Sequence, residues 1–142
     1  MAETLVLDAS AGLRVALEDQ PGHAAAVSCY QRALEHGSRI IVPELFLYEA
    51  GNVLGRAAAP PDRQVSLLLA SYETVEVVRP SLEALARAMR MVSERRLSFY
   101  DAAYLALAEE KGGVLWTEDK EILRAFPHLA VDTKKLLARF SA

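Results

Sequence analysis

The stretch LSFYDAAYLALAEEKGGVLWTED, residues 97–119, decides the fold class. Ser98 offers a hydroxyl to cap the start of a helix. Lys111-Gly112-Gly113 stops that helix with glycine. Val114-Leu115-Trp116 then reads as a short apolar strand, followed at once by Thr117-Glu118-Asp119. A helix delivered straight into a short apolar strand is the unit from which a parallel sheet covered by helices is built.

The same alternation extends to both sides. Thr4 to Asp8 reads as a first strand, Ser10 to Asp19 as a short helix and His23 to Glu35 as another, with Gly37 as its terminator. Arg39 to Val42 is a second strand. Pro43 suits the first turn of a helix running to about Arg56. Ala57-Ala58-Ala59-Pro60-Pro61 is a break between helices, too short to divide domains. Asp62 to Tyr72 is helical, Val75 to Val78 a third strand, and Pro80-Ser81 opens a long helix to about Arg95. Past the fourth strand, Glu118 to Ala125 reads as a helix, Leu129 to Val131 as a fifth strand and Thr133 to Phe140 as a last helix. The expectation is a single α/β domain over 1–142: three layers, with a mostly parallel sheet of about five strands flanked by helices. Ligands of such sheets sit beyond the carboxyl ends of the strands.

Composition narrows the function. A chain of 142 residues, 52% apolar and 25% charged, has the balance of a folded domain. Its longest apolar run is far too short to span a bilayer. Met-Ala-Glu-Thr leads straight into a strand, without the basic region and apolar stretch of a signal peptide. Cys29 stands alone, and we read it as a small core residue. Together these favour a cytoplasmic protein with no membrane contact. The net charge of −3 supplies no global basic field for nucleic acid. His23, His36 and His128 lack ligand spacing and read as surface or helix-end residues.

Four acids carry the chemistry: Asp8, Glu49, Asp101 and Asp119. Each lies beside an apolar segment, where a carboxylate must be solvated, paired or bound to a cation. Hard divalent ions such as Mg²⁺ take such oxygen ligands. Each also has a structural reading. Asp8 can cap the helix after it, which does not exclude metal binding. Glu49 shares a helix face with Asn52 on a segment apolar enough to be buried around most of its circumference, or it can pair with Arg56. Ser98 and Asp101 have capping-box spacing. Asp119 can favour a helix dipole, with Thr117 capping the same turn and Glu118 as the exposed member of the pair. Arg14, Arg56, Arg95 and Arg96 can meet phosphates or can simply be solvated.

Taken together, the four segments resemble one family. Leu5-Val6-Leu7-Asp8-Ala9-Ser10, Val42 through Leu54, Leu97 through Ala108 and Leu115-Trp116-Thr117-Glu118-Asp119 are similar, in order and spacing, to the PIN-domain ribonucleases, in particular the VapC-type toxins of toxin–antitoxin pairs. The resemblance implies that Asp8, Glu49, Asp101 and Asp119 are the metal-binding and catalytic acids. It also implies that Asn52 is the companion of Glu49, that Thr117 steadies Asp119 and that Ser10 has a supporting place. Glu118 departs from the family, where a small residue is usual, and its charge bears on RNA approach or metal occupancy. The further implications are Mg²⁺ or Mn²⁺ as cofactor, RNA as substrate, a homodimer, and a VapB-type antitoxin that blocks the site. Independently of the family, two divalent ions can activate water, neutralise a scissile phosphate and stabilise the leaving oxygen. The alternatives are a housekeeping PIN nuclease of RNA processing and a non-catalytic PIN-fold interaction module. A haloacid-dehalogenase-like phosphotransferase needs a second acid two residues after the first, where this chain has Ser10. A receiver domain needs an acidic pair that Asp8 does not form.

Overall fold

A computed structural model describes residues 2–141 of the chain. The expected domain ends, Met1 and Ala142, lie outside the described residues. The elements run β1 (Thr4–Leu7), α1 (Ala9–Ala16), α2 (His23–Glu35), β2 (Arg39–Val42), α3 (Glu44–Leu54), α4 (Pro61–Thr74), β3 (Glu76–Val77), α5 (Leu82–Arg95), α6 (Phe99–Glu110), β4 (Val114–Trp116), α7 (Lys120–Ala125), β5 (Ala130–Val131) and α8 (Thr133–Ser141). Every expected element is present. The first helix ends three residues early, at Ala16, and α4 is longer at both ends than its apolar spacing suggests.

All strand pairs are parallel, in the order β3-β2-β1-β4-β5. The chain lays down β1, β2 and β3 in one direction, then crosses back to add β4 on the other side of β1. With right-handed crossovers this reversal puts α1–α4 and α5–α6 on opposite faces of the sheet. It also opens a crevice at the carboxyl ends of β1 and β4.

The strands are apolar on both sides, as a doubly covered sheet requires. Leu5, Val6, Ile41, Leu115 and Trp116 are wholly buried. The central helix α6 is buried from Ala102 to Ala108 and packs on β1, β4 and α5. Ala84 and Ala88 of α5 meet Ala102 and Ala106, four small side chains that let the two helices approach closely. The turn from α6 into β4 explains its paired glycines. Gly112 takes a left-handed φ of 64°, and a Cβ on Gly113 would lie 2.1 Å from the Thr4 carbonyl oxygen. On the other face, Gly12 of α1 lies under the Phe46 ring, where a Cβ would come within 2.5 Å of it. That contact seats α3 beside the end of β1.

Helix α3 differs from its expected burial. Phe46, Ala50 and Leu54 are buried, but Tyr48 is 71% exposed and Asn52 and Val53 face solvent. An apolar helix is read as buried by default. Here one stripe fills the core, and the rest continues into an exposed apolar surface with Val65, Leu69 and Tyr72 of α4. Among the described residues, no helix is long and apolar enough to cross a membrane.

Candidate active site

Sheet register brings the first and last acids together. Leu7 pairs with Trp116, and the Asp8 N–H donates to the Trp116 carbonyl at 2.9 Å. Asp8 and Thr117 therefore leave adjacent strands side by side. The Asp8 carboxylate makes no cap bond to α1. Its Oδ2 instead accepts the Ser10 hydroxyl at 2.7 Å and the Thr117 hydroxyl at 2.6 Å. Thr117, wholly buried, accepts the Asp119 N–H at 3.1 Å, and Ser10 accepts the Glu118 N–H at 3.1 Å. Two hydroxyls thus fix one oxygen of a nearly buried carboxylate, and each also grips the loop after β4. Burial raises the Asp8 pKa; the two hydroxyls and the Ala9 amide oppose that, and the Asp119 charge adds to it.

The other two acids come from helices. Glu49, half-buried on α3, accepts the hydroxyl of Tyr104 at 2.7 Å. It forms no ion pair with Arg56 among the described residues. Burial raises its pKa first; the Tyr104 hydrogen bond opposes this, and Asp8 and Asp101 raise it further. Asp101 stands in the first turn of α6. Its N–H donates to Ser98 Oγ at 3.1 Å, so the serine half of the expected capping box is made, while its carboxylate makes no return bond to the Ser98 amide. Burial raises the Asp101 pKa, followed by the charges of Asp8 and Asp119; Ser98 opposes, and Glu121 adds a smaller repulsion. The Asp8 charge thus raises the carboxyl pKa of both Glu49 and Asp101.

Asp119 has the structural role its position allows. Its Oδ1 caps α7, accepting the N–H groups of Glu121 and Ile122 at 2.9 and 3.1 Å. Glu118 is not the exposed member of the pair. Its side chain is only 15% exposed and turns away from Asp119. Its Oε1 accepts the Thr133 N–H at 3.0 Å and the Thr133 hydroxyl, and Arg14 lies 3.8 Å from its other oxygen. Thr133, fifteen residues further on, is a partner that local sequence does not reveal. Asn52 is exposed and makes no hydrogen bond to the four acids among the described residues. Arg14 is engaged with Glu118, and Arg95 donates to the Ala125 carbonyl at 2.9 Å while stacking over Phe126. Arg56 and Arg96 are exposed. Cys29 is buried, its thiol pushed up to about 12 by burial, and is no nucleophile. Tyr104 is the neighbour that sequence reading passed over. It lies one helical turn beyond Asp101, and its partner Glu49 is 55 positions away.

The donor set is hard oxygen, clustered at a sheet edge and electrostatically frustrated, which suits a divalent cation. Among the described residues, no three such side chains already stand in ligating arrangement. Asp8 Oδ2 and Asp119 Oδ1 are committed to hydrogen bonds.

Residues 5–127 match the model of the PIN domain. The chain is 34% identical over 125 residues to exonuclease VapC9 of Pyrobaculum aerophilum, covering 83% of this chain and 90% of the relative. It is 30% identical over 131 residues to ribonuclease VapC3 of the same organism, covering 88% and 96%. A crystal structure of a Pyrobaculum aerophilum protein superposes with a TM-score of 0.73 at 32% identity, covering 99% of this chain and 97% of the other. VapBC2 of Rickettsia felis, solved bound to a fragment of its promoter DNA, shares the fold with a TM-score of 0.71 at 11% identity, covering 91% and 98%. The chain belongs to the PIN-domain family and, within it, to the VapC-type nucleases.

Proposed function

We propose that this protein is the toxin of a VapBC-type pair: a Mg²⁺- or Mn²⁺-dependent endoribonuclease that works in the cytoplasm. The observation that carries this reading is the hydrogen-bonded set Asp8, Ser10, Thr117 and Asp119 at the carboxyl edge of β1 and β4, with the Asp8 charge raising the carboxyl pKa of Glu49 and Asp101. In this reading Asp8, Glu49 and Asp101 hold the metal, with Asp119 contributing the oxygen that α7 leaves free. When bound, a divalent ion there supplies an activated water and neutralises phosphate charge. The chain's own work is to present oxygens. Ser10 and Thr117 hold Asp8 through its Oδ2, and Asp119 is fixed by its own cap. Burial at the sheet edge keeps bulk water from screening the acids.

Partners follow from surface and kinship. Tyr48, Val65, Leu69 and Tyr72 form exposed apolar area on α3 and α4, and Leu82 and Met89 form another on α5. So much exposed apolar surface marks protein contacts. We assign it to a homodimer and to a VapB-type antitoxin, whose inserted arginine or lysine can replace the cation among the acids. VapBC2 of Rickettsia felis, a toxin–antitoxin assembly of this fold, supports the second partner.

A covalently closed single-stranded RNA tests the reaction. Cleavage with Mg²⁺ or Mn²⁺, stopped by a chelator and absent in Asp8→Ala, is the expected result. Degradation of linear but not circular RNA would make the protein an exonuclease, as one relative is named. Expression without the antitoxin should arrest growth in the wild type and not in Asp8→Ala. Active but harmless wild type would point to a housekeeping nuclease.

A further inference from the structure

Glu49 is the acid least supported by its own element. Its helix neighbours Tyr48 and Asn52 are exposed, and α3 supplies it no hydrogen-bond partner. What holds it is a side chain from the opposite face of the sheet. Tyr104 is 1% exposed, its ring is part of the main core, and its hydroxyl donates to Glu49 Oε1 at 2.7 Å. Asp101 and Tyr104 are three residues apart on α6, so they share a face. One helix thus provides an acid of its own and the donor that aims an acid of another helix.

We propose that Tyr104 is a positioning residue: its hydroxyl fixes the rotamer of Glu49 for metal binding and couples α3 to α6. A buried tyrosine needs a partner for its hydroxyl, and satisfying the core could be the bond's whole purpose. The two roles differ in what the phenylalanine variant does to metal binding. Removing a hydrogen bond behind a metal ligand typically weakens affinity about 10–100-fold. Removing one that only satisfies the core does not.

The proposal rests on Glu49 being a metal ligand, and the test separates the two. Mn²⁺ binding is measured by calorimetry on full-length wild type, Y104F, E49Q and the double variant, beside metal-free melting. Y104F should melt close to wild type, since the ring still fills the core, yet bind Mn²⁺ about 10–100-fold more weakly. In the E49Q background Y104F should change nothing further, because the carboxylate it aims is gone. Y104F binding Mn²⁺ like wild type would overturn the proposal while leaving the metal site intact. So would an equal loss in both backgrounds. Wild type that binds no Mn²⁺ would remove the metal-site reading and this proposal with it. Should Y104F unfold before titration, the near-ultraviolet tyrosine difference spectrum of wild type at saturating Mn²⁺ decides. A perturbation that E49Q lacks supports the proposal, and its absence in wild type overturns it.

Discussion

The two acids at strand ends and the two on helices are held by different means. Asp8 and Asp119 are tied by short-range bonds: strand register sets Asp8 beside Thr117, and Thr117 touches both acids. Glu49 and Asp101 depend on how α3 and α6 pack against the sheet, with one phenol hydroxyl and one serine as their supports. The strand-end half is built with the sheet. The difference is open to measurement.

On the proposed function, removing one of the four acids from either half should give the largest effect. Asp8→Asn and Asp101→Asn should each reduce RNA cleavage at saturating Mn²⁺ by at least about 10²–10³-fold, the cost of losing one electrostatic contributor at such a site. Neither should lower the metal-free melting temperature, because each removes a charge that burial disfavours. A variant that loses activity only by unfolding would return its acid to a structural role.

Thr117→Val attacks the tie within the strand-end half. It deletes the hydroxyl donated to Asp8 and the acceptor for the Asp119 amide. The expected cost is about 1.5–3 kcal/mol in urea unfolding at neutral pH, the range for a hydrogen bond to a charged group. Cleavage should fall about 10–100-fold through weaker metal affinity. Unchanged metal affinity would mean that the sheet register alone positions Asp8.

Acid should separate the halves by their burial. Asp8, Glu49 and Asp101 all have folded-state pKa values raised above their ordinary ones, with burial the first cause in each. A raised carboxyl pKa means that the folded state binds protons more readily than the unfolded state does. That contribution is fully present below the unfolded pKa and is lost as pH rises through the folded one. Metal-free protein should therefore gain melting temperature as pH falls from neutrality toward the ordinary carboxylate range. Saturating Mg²⁺, which binds only the ionised site, should flatten or reverse the trend. Scanning calorimetry across that range checks both. Asp8→Asn, which removes the most buried of the three, should reduce the acid gain more than Asp101→Asn.

The order of elements and the four candidate acids could be picked out of the sequence for a common reason: both are local. An acid that ends an apolar strand, or interrupts an apolar helix, shows itself within a window of a few residues, and Asp8, Glu49, Asp101 and Asp119 all do. What was hidden is nonlocal. The half-exposure of α3 was misread because an apolar face covered by the core and one left for a partner have the same composition. Tyr104 looked like any core aromatic, since its partner lies 55 positions back. Asn52 shares a helix face with Glu49, yet the hydrogen bond of Glu49 goes to Tyr104 on α6. Register was equally out of reach: that β1 neighbours β4 follows from packing two crossovers, not from either strand.

Glu118 provides the smallest expected effect and the sharpest control on where the site stops. As an extra carboxylate beside Asp119 it looked able to disturb RNA or metal. The structure turns it inward, onto the start of α8. There Thr133 donates to it through both its amide and its hydroxyl, and Trp116 Nε1 donates to the same Thr133 oxygen at 2.9 Å. Glu118 therefore joins the loop after β4 to the last helix, and its contact with the site is only through its own amide on Ser10. Glu118→Ala keeps that amide. It should cost about 1 kcal/mol of stability, the low end for an unpaired group, because water can reach the freed Thr133 amide. Mn²⁺ affinity and RNA cleavage should stay near wild type. Thr133→Val should cost more than Glu118→Ala, because it also leaves the buried Trp116 Nε1–H without its acceptor. A Glu118→Ala protein with markedly altered metal affinity would extend the strand-end half past Asp119, and would mean that the side chain reaches the crevice when metal is bound.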